Sequence, residues 1–206
     1  MAENNQKFAH DYTGAVFVAV GGCGMSTVSR LRKSGIRGSK TVCISRFKEE
    51  LYIKGEDVVN FALLGRNVDS EHYERSKTPV SPEECIDVEN YLKEAFKGTK
   101  KVLIFAGLGG FTGSAIVPVA AAIAKAEGAM LGMVITYPFK LERKRTEMAD
   151  KALSGLSELA DDFILRRNND LVEMCPKLPM NEAFGRFDMK LGEEIRRGHD
   201  SSHSIN

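Results

Sequence analysis

Two runs of small residues carry most of the chemistry this chain could do. The richer is Ala106-Gly107-Leu108-Gly109-Gly110-Phe111-Thr112-Gly113-Ser114-Ala115, with four glycines. Glycine takes positive φ freely and lets bare N–H groups approach a ligand. Thr112 can cap the helix that follows and donate its hydroxyl. The second run is Gly21-Gly22-Cys23-Gly24, with Met25 next. Unpaired amides at a helix start point the same way as the positive end of its dipole, so such turns bind anions. The chemistry to expect is phosphate recognition. A tight βα turn without a ligand explains one glycine run more simply, and it is the occurrence of two that asks for more.

These runs need elements to position them. Ala15 to Val20 is a continuous apolar strand that enters the first run, and a helix then extends to about Lys33. Val102 to Phe105 reads as a buried parallel strand that enters the second run, and Ala115 to Ala126 reads as the helix beyond it, with a kink expected at Pro118. Further strands are expected over 40–45, 57–63, 129–136 and 163–165. A short helix or turn is expected from Arg46 to Ile53, and a long polar loop from Gly65 to Pro82. Ser81-Pro82-Glu83-Glu84 is a helix start, with Ser81 as N-cap and Glu84 three residues on. One amphipathic helix is expected over Leu141 to Leu159, with Leu153, Leu156 and Leu159 on one side. A last helix should run from about Asn181 to Gly198 with Phe184, Phe187, Leu191 and Ile195 as its apolar stripe. This alternation predicts an α/β fold, a doubly wound, mostly parallel sheet that takes ligands at the C-terminal ends of its strands.

Composition narrows the function classes. A chain of 206 residues suits one domain, expected over residues 14–198 between a disordered lead-in (1–13) and a disordered tail (199–206). A net charge of +1 offers no broad attraction for nucleic acid. The most apolar window, Ala115 to Tyr137, is interrupted by Lys125 and Glu127, so no direct membrane insertion is expected. Cys23, Cys43, Cys85 and Cys175 are scattered, which suggests reduced thiols and a cytoplasmic protein. The four histidines lack metal-ligand spacing, so no metal site is expected from them.

Taken together, the two runs resemble those of the tubulin/FtsZ superfamily. Gly109-Gly110-Phe111-Thr112-Gly113-Ser114-Ala115 resembles the signature GGGTGSG, and Gly21-Gly22-Cys23-Gly24-Met25 resembles the GGxGN loop. Thr136-Tyr137-Pro138-Phe139-Lys140-Leu141-Glu142 is similar to the ribose loop T-x-P-F-x-F-E. Asn168 falls where the family has the Asn of Pro-Asn-Asp, and Ala183-Phe184-Gly185-Arg186-Phe187-Asp188 resembles the start of its central helix. The resemblance covers Ala15 to Arg197 and is nearest to prokaryotic FtsZ. It implies a Rossmann-like GTPase domain that ends in the central helix, with the family's second domain absent. It also implies GTP or GDP as ligand, magnesium being compatible with the phosphates. Phe184 would then stack on the base, Asp188 accept from it and Glu142 bond the ribose. Without the resemblance, Phe184 reads as core and Asp188 as a solvated face. The residues alone also leave open a dinucleotide fold, with Gly22-x-Gly24 and Arg46 for a 2′-phosphate, although Thr27 stands where a third glycine belongs.

The chain departs from the family pattern at several points. Met25 replaces an Asn that donates to the base, with Ser26 beside it as a substitute donor. Ser45-Arg46-Phe47 replaces Asn-Thr-Asp. Lys77-Thr78-Pro79-Val80-Ser81-Pro82-Glu83 replaces a glycine-rich γ-phosphate loop, and Pro79 has no N–H to offer, leaving charge from Lys77 and Arg75. Phe111 replaces a glycine and crowds the phosphates. Arg145 stands in for a ribose-side Arg whose place falls near Thr146. The loop that activates water in the family lies beyond the central helix, so no catalytic residue is expected here. The expectation is a guanine-nucleotide-binding, division-related or cytoskeletal protein with weak or no hydrolysis, partnered by copies of itself or another FtsZ-like subunit. The alternative is a nucleotide-free structural or filament-forming module.

Overall fold

The computed structural model describes residues 8–63 and 79–201, with side chains through Arg196. Six strands form one sheet: β1 (Val16–Val20), β2 (Lys40–Ser45), β3 (Val58–Ala62), β4 (Lys101–Gly107), β5 (Met130–Tyr137) and β6 (Asp162–Arg167). Their spatial order is β3-β2-β1-β4-β5-β6, and every neighbouring pair is parallel. The helices are α1 (Gly21–Lys33), α2 (Pro82–Phe96), α3 (Phe111–Ala126), α4 (Arg143–Leu153), α5 (Leu156–Leu159), α6 (Asn168–Met174) and α7 (Met180–Ser201). The chain winds outward in one direction through β2 and β3, then in the other through β4, β5 and β6. The order reverses between β1 and β4, the place where such sheets open a crevice.

Strand alternation builds a core on each face. Val16, Val18 and Val20 of β1 point with Ile104 of β4 into a cluster closed by Val88 and Leu92 of α2 and Ile116 and Val117 of α3. Phe17 and Ala19 point the other way with Phe105, against Met25, Val28 and Leu31 of α1 and Leu191 and Ile195 of α7. Phe17 and Phe105 meet edge to face at 5.1 Å. The central strands β1, β4 and β5 are buried on both faces, which is why they read as apolar runs, whereas β3 and β6 at the edges are half-buried. Ser81 caps α2 as the sequence predicts, with a reciprocal bond from the Ser81 N–H to Glu84 at 2.7 Å.

The structure corrects several expectations. The lead-in is ordered from Phe8 onward. Tyr12 is buried, its ring lies 5.1 Å from Phe8, and a side chain at Gly132 would strike it at 2.6 Å. The N–H groups of Ala9 and His10 donate to Asp162 at 2.8 and 3.0 Å. Aromatic packing and a buried carboxylate acceptor thus hold a polar stretch in place. The helix expected over 141–159 breaks into α4 and α5 at Gly155, whose φ of +81° no right-handed helix accommodates. Leu141 lies outside it and is exposed. Helix α1 begins at Gly21 itself, and α7 continues past Gly198 to Ser201. Pro118 lies within α3, which runs unbroken from Phe111 to Ala126. Helix α6 was not expected from the sequence. Arg75, Lys77 and Thr78 lie outside the described residues, as do 1–7 and 202–206.

Candidate functional site

Where the strand order reverses, a cavity of about 330 Å³ opens at the C-terminal ends of β1 and β4. Both glycine runs border it. Gly21, Gly22 and Cys23 come from the start of α1, and Gly107, Gly110, Phe111, Thr112 and Gly113 from the turn into α3. Gly21 takes φ +66° and Gly109 φ +86°. Other glycines are required by close approach. A Cβ on Gly24 would stand 2.2 Å from the Phe105 carbonyl oxygen, and one on Gly113 2.0 Å from that of Gly107. Glycine therefore lets the first turns of both helices lie directly on β4.

Neither helix start is capped by a side chain. Val20 precedes α1 and Gly110 precedes α3, and neither offers a capping group; neither first turn contains an acidic residue. The early N–H groups of a helix have no intrahelical acceptor. Two such ends meet at one cavity, a concentration of donors and positive dipole suited to an anion with several oxygens. Thr112 is not the cap expected of it. It lies inside α3, and its side chain borders the cavity instead. Ser114 faces its own turn, its Oγ accepting from the Gly109 N–H at 3.0 Å.

Pro138 and Asn168 also line the cavity, from the ends of β5 and β6. The Asn168 amide oxygen is buried without a hydrogen-bond partner among the described residues. Arg145 borders the cavity with its guanidinium on Glu142 at 2.9 Å. Cys23 is pushed up from the usual thiol range by burial, with a Thr136 hydrogen bond working against that, so it remains a neutral packing residue.

The residues expected to read a base do not reach this cavity. Met25 is fully buried in the core beneath α1, because an apolar side chain there gains more from Phe105 and Val28 than from the polar rim. Asp188 is buried, and its carboxylate accepts from Thr27 Oγ1 at 3.2 Å, Arg30 at 2.7 Å and Arg166 at 2.7 Å. Arg166 also lies 4.5 Å over the Phe187 ring. Asp188 thereby ties α7 to α1 and β6. Phe184 is half-buried one turn before it, away from the cavity lining. Glu142 accepts from the Phe139 N–H at 3.0 Å and from Arg145, so its carboxylate closes the turn before α4.

Three further residues line the cavity beyond those expected of it. Arg46, weighed only for a 2′-phosphate, stands beside the first turn with its guanidinium on Glu84 at 2.9 and 3.3 Å and on the Pro79 carbonyl at 2.7 Å. Glu84 is held below the usual carboxylate range: burial opposes its charge, but Arg46 and the Ser81 N–H outweigh that. Glu50 and Phe47 come from the short turn after β2. Their position after a strand on the ligand side of the sheet is the one signal that could have flagged them. Among the described residues, no group of His, Cys, Asp and Glu could hold a metal ion. No helix among them is long and apolar enough to cross a membrane.

Comparison with known proteins matches this geometry to a family. The family model described as "Tubulin/FtsZ family, GTPase domain" matches residues 15–176. Cell division protein FtsZ 2 of Methanocaldococcus jannaschii is 35% identical over 183 residues, 88% of this chain and 47% of that protein. Cell division protein FtsZ 2 of Halobacterium salinarum is 33% identical over 88% of this chain and 46% of its own length. The chain therefore spans about half the length of the curated relatives it matches. Among solved structures, an empty FtsZ dimer from M. jannaschii superposes with a TM-score of 0.70 at 30% identity, covering 87% of this chain and 52% of that one. CetZ from Methanosaeta thermophila shares the fold, with a TM-score of 0.68 at 16% identity over 94% of this chain and 56% of that one.

Proposed function

The chain belongs to the Tubulin/FtsZ family, and from that premise we propose that its cavity binds a guanine nucleotide, GTP or GDP, through the phosphates. The observation that carries this reading is the meeting of two uncapped helix starts, α1 and α3, at one cavity at the sheet's reversal point. The amides of Gly21, Gly22, Gly110 and Phe111 would hold phosphate oxygens, Thr112 would add its hydroxyl, and Pro138 and Asn168 would border the sugar and base side. Hydrolysis by this chain alone would be weak or absent. Among the described residues the one carboxylate lining the cavity is Glu50, with Ser45 on its Oε2 and no second acid or base side chain beside it to share the work of activating water. Assembly with copies of itself or with another FtsZ-like subunit, in the cytoplasm and in division or cytoskeletal organisation, is the role such binding would serve.

A second reading is favoured by one specific observation. Asp188 is committed to Thr27, Arg30 and Arg166, and Met25 is sealed in the core. A chain with no base-reading side chain could keep the fold as a nucleotide-free structural or filament-forming module. Denaturing the purified protein and identifying released nucleotide by chromatography, before and after loading with GTP, decides between them. Near-stoichiometric guanine nucleotide is the expected result. Protein that remains empty after loading would leave the structural module.

A further inference from the structure

The short turn Lys48–Glu50 returns the chain from β2 to the first glycine run. There Glu50 stands against Gly22: a Cβ on that glycine would lie 2.9 Å from Glu50 Oε1 and 3.3 Å from its carboxyl carbon. The other carboxylate oxygen, Oε2, accepts from Ser45 Oγ, and Ser45 Oγ in turn accepts from the Phe47 N–H at 3.2 Å. The carboxylate is thus aimed, not loose. It lines the same cavity as Gly21, Gly22 and the second glycine turn. Helix α1 has no acidic residue in its first turn and no side-chain cap, so Glu50 is the anion its dipole meets from outside the helix. An anion carried on one of the protein's own side chains competes at a high effective concentration.

Resting on the phosphate-site reading above, we propose that Glu50 is a built-in competitor for ligand phosphates and sets the site's preference by charge, favouring a nucleoside diphosphate over the more highly charged triphosphate. Its side chain stands beside Gly22 of the first glycine turn, on the wall of the cavity. Ligand phosphates must displace it or lie beside it, and the repulsion grows with their charge.

The test compares wild type, E50Q and E50A by calorimetric titration with GDP and GTP, in Mg²⁺ and again in EDTA. It adds the thermal midpoint of each protein with and without inorganic pyrophosphate. Glu50 sits on a half-exposed turn, and cooperative unfolding of both variants verifies that they fold. The expected result is tighter binding in both variants, about three- to tenfold for GTP and less for GDP. Pyrophosphate should also raise the midpoint of E50Q more than that of wild type. Unchanged affinities in a wild type that binds nucleotide overturn the proposal and leave the phosphate site standing. Weaker binding of E50Q in Mg²⁺ alone overturns it as well, because Glu50 would then be helping to hold the metal. If none of the three proteins binds nucleotide, the phosphate-site reading falls. The pyrophosphate shifts still decide the role of Glu50: equal shifts in wild type and E50Q overturn the competition, and a larger shift in E50Q supports it.

Discussion

The two ends of the candidate site are built on opposite principles. At the phosphate end, two glycine turns expose the starts of α1 and α3, and the donors are backbone. At the end where family resemblance puts the base, the side chains in question are occupied. Met25 packs in the core, and Asp188 binds Thr27 and two arginines. Backbone donors follow from glycines at strand ends and tolerate change nearby. Base selection needs a particular side chain with a free hydrogen-bonding position. Here that side chain joins three elements of the fold.

The largest effect is expected from D188A. It would leave Arg166 and Arg30, both partly buried, without the buried carboxylate they share, costing about 3 kcal/mol in urea unfolding. Wild-type stability in D188A together with a loss of guanine over adenine preference would break the contrast, because Asp188 would then be a ligand residue. Next is G113A, whose Cβ would meet the Gly107 carbonyl oxygen at 2.0 Å. It should lose about 2–3 kcal/mol and abolish pyrophosphate binding. A stable G113A that still binds pyrophosphate would mean that the second turn does not hold the anion. F111G should act the other way at the same end, tightening pyrophosphate binding a few-fold while costing about 1 kcal/mol of stability in the first turn of α3. Calorimetry and chemical unfolding on one preparation read both quantities, and unchanged affinity would remove Phe111 as the crowding residue.

The smallest effect comes from a control remote from both ends. Burial opposes the ionisation of Asp11, yet hydrogen bonds from Thr13 and the Lys101 ammonium hold its carboxyl down to about 2. The folded value lies below the unfolded one of about 3.9, so the stabilisation is fully present above pH 4 and is lost as pH falls toward 2. D11N should lower the thermal midpoint slightly at pH 6, by an amount that shrinks across that window, and leave ligand binding unchanged. A gap that stayed constant with pH would assign Asp11 to packing.

Much of the scaffold was legible in the sequence because local chemistry decided it. Apolar runs such as Ala15–Val20 marked strands buried on both faces, and Ser81-Pro82-Glu83-Glu84 marked a helix start through its own hydrogen bonds. The two glycine turns were legible for the same reason, since glycine after a strand marks a tight turn or a close approach of backbones, as Gly24 and Gly113 make on β4. Gly155 was a readable stop inside Leu141–Leu159, outweighed by the leucine spacing on either side. The fate of Asp188 was not readable, because Arg30 and Arg166 lie 158 and 22 residues away in sequence and meet it only once the sheet is assembled. Glu50 was half hidden: its place after β2 put it on the ligand side of the sheet, but its approach to Gly22 depends on α1 and β2 being packed together.

The clamp at Asp162 has a consequence in time. Ala9 and His10 bind a carboxylate 153 and 152 residues further along the chain, at the start of the last strand. On a ribosome adding about 5–20 residues per second, the beginning of this chain waits roughly 8–30 s for its acceptor to be made. The strands β1, β2 and β3 can be laid side by side during that interval, but the far edge of the sheet cannot take hold of the segment that precedes β1. The hydrogen bonds of Ala9 and His10 therefore form only after β6 has been made, later than the contact of Asp11 with Lys101 of β4.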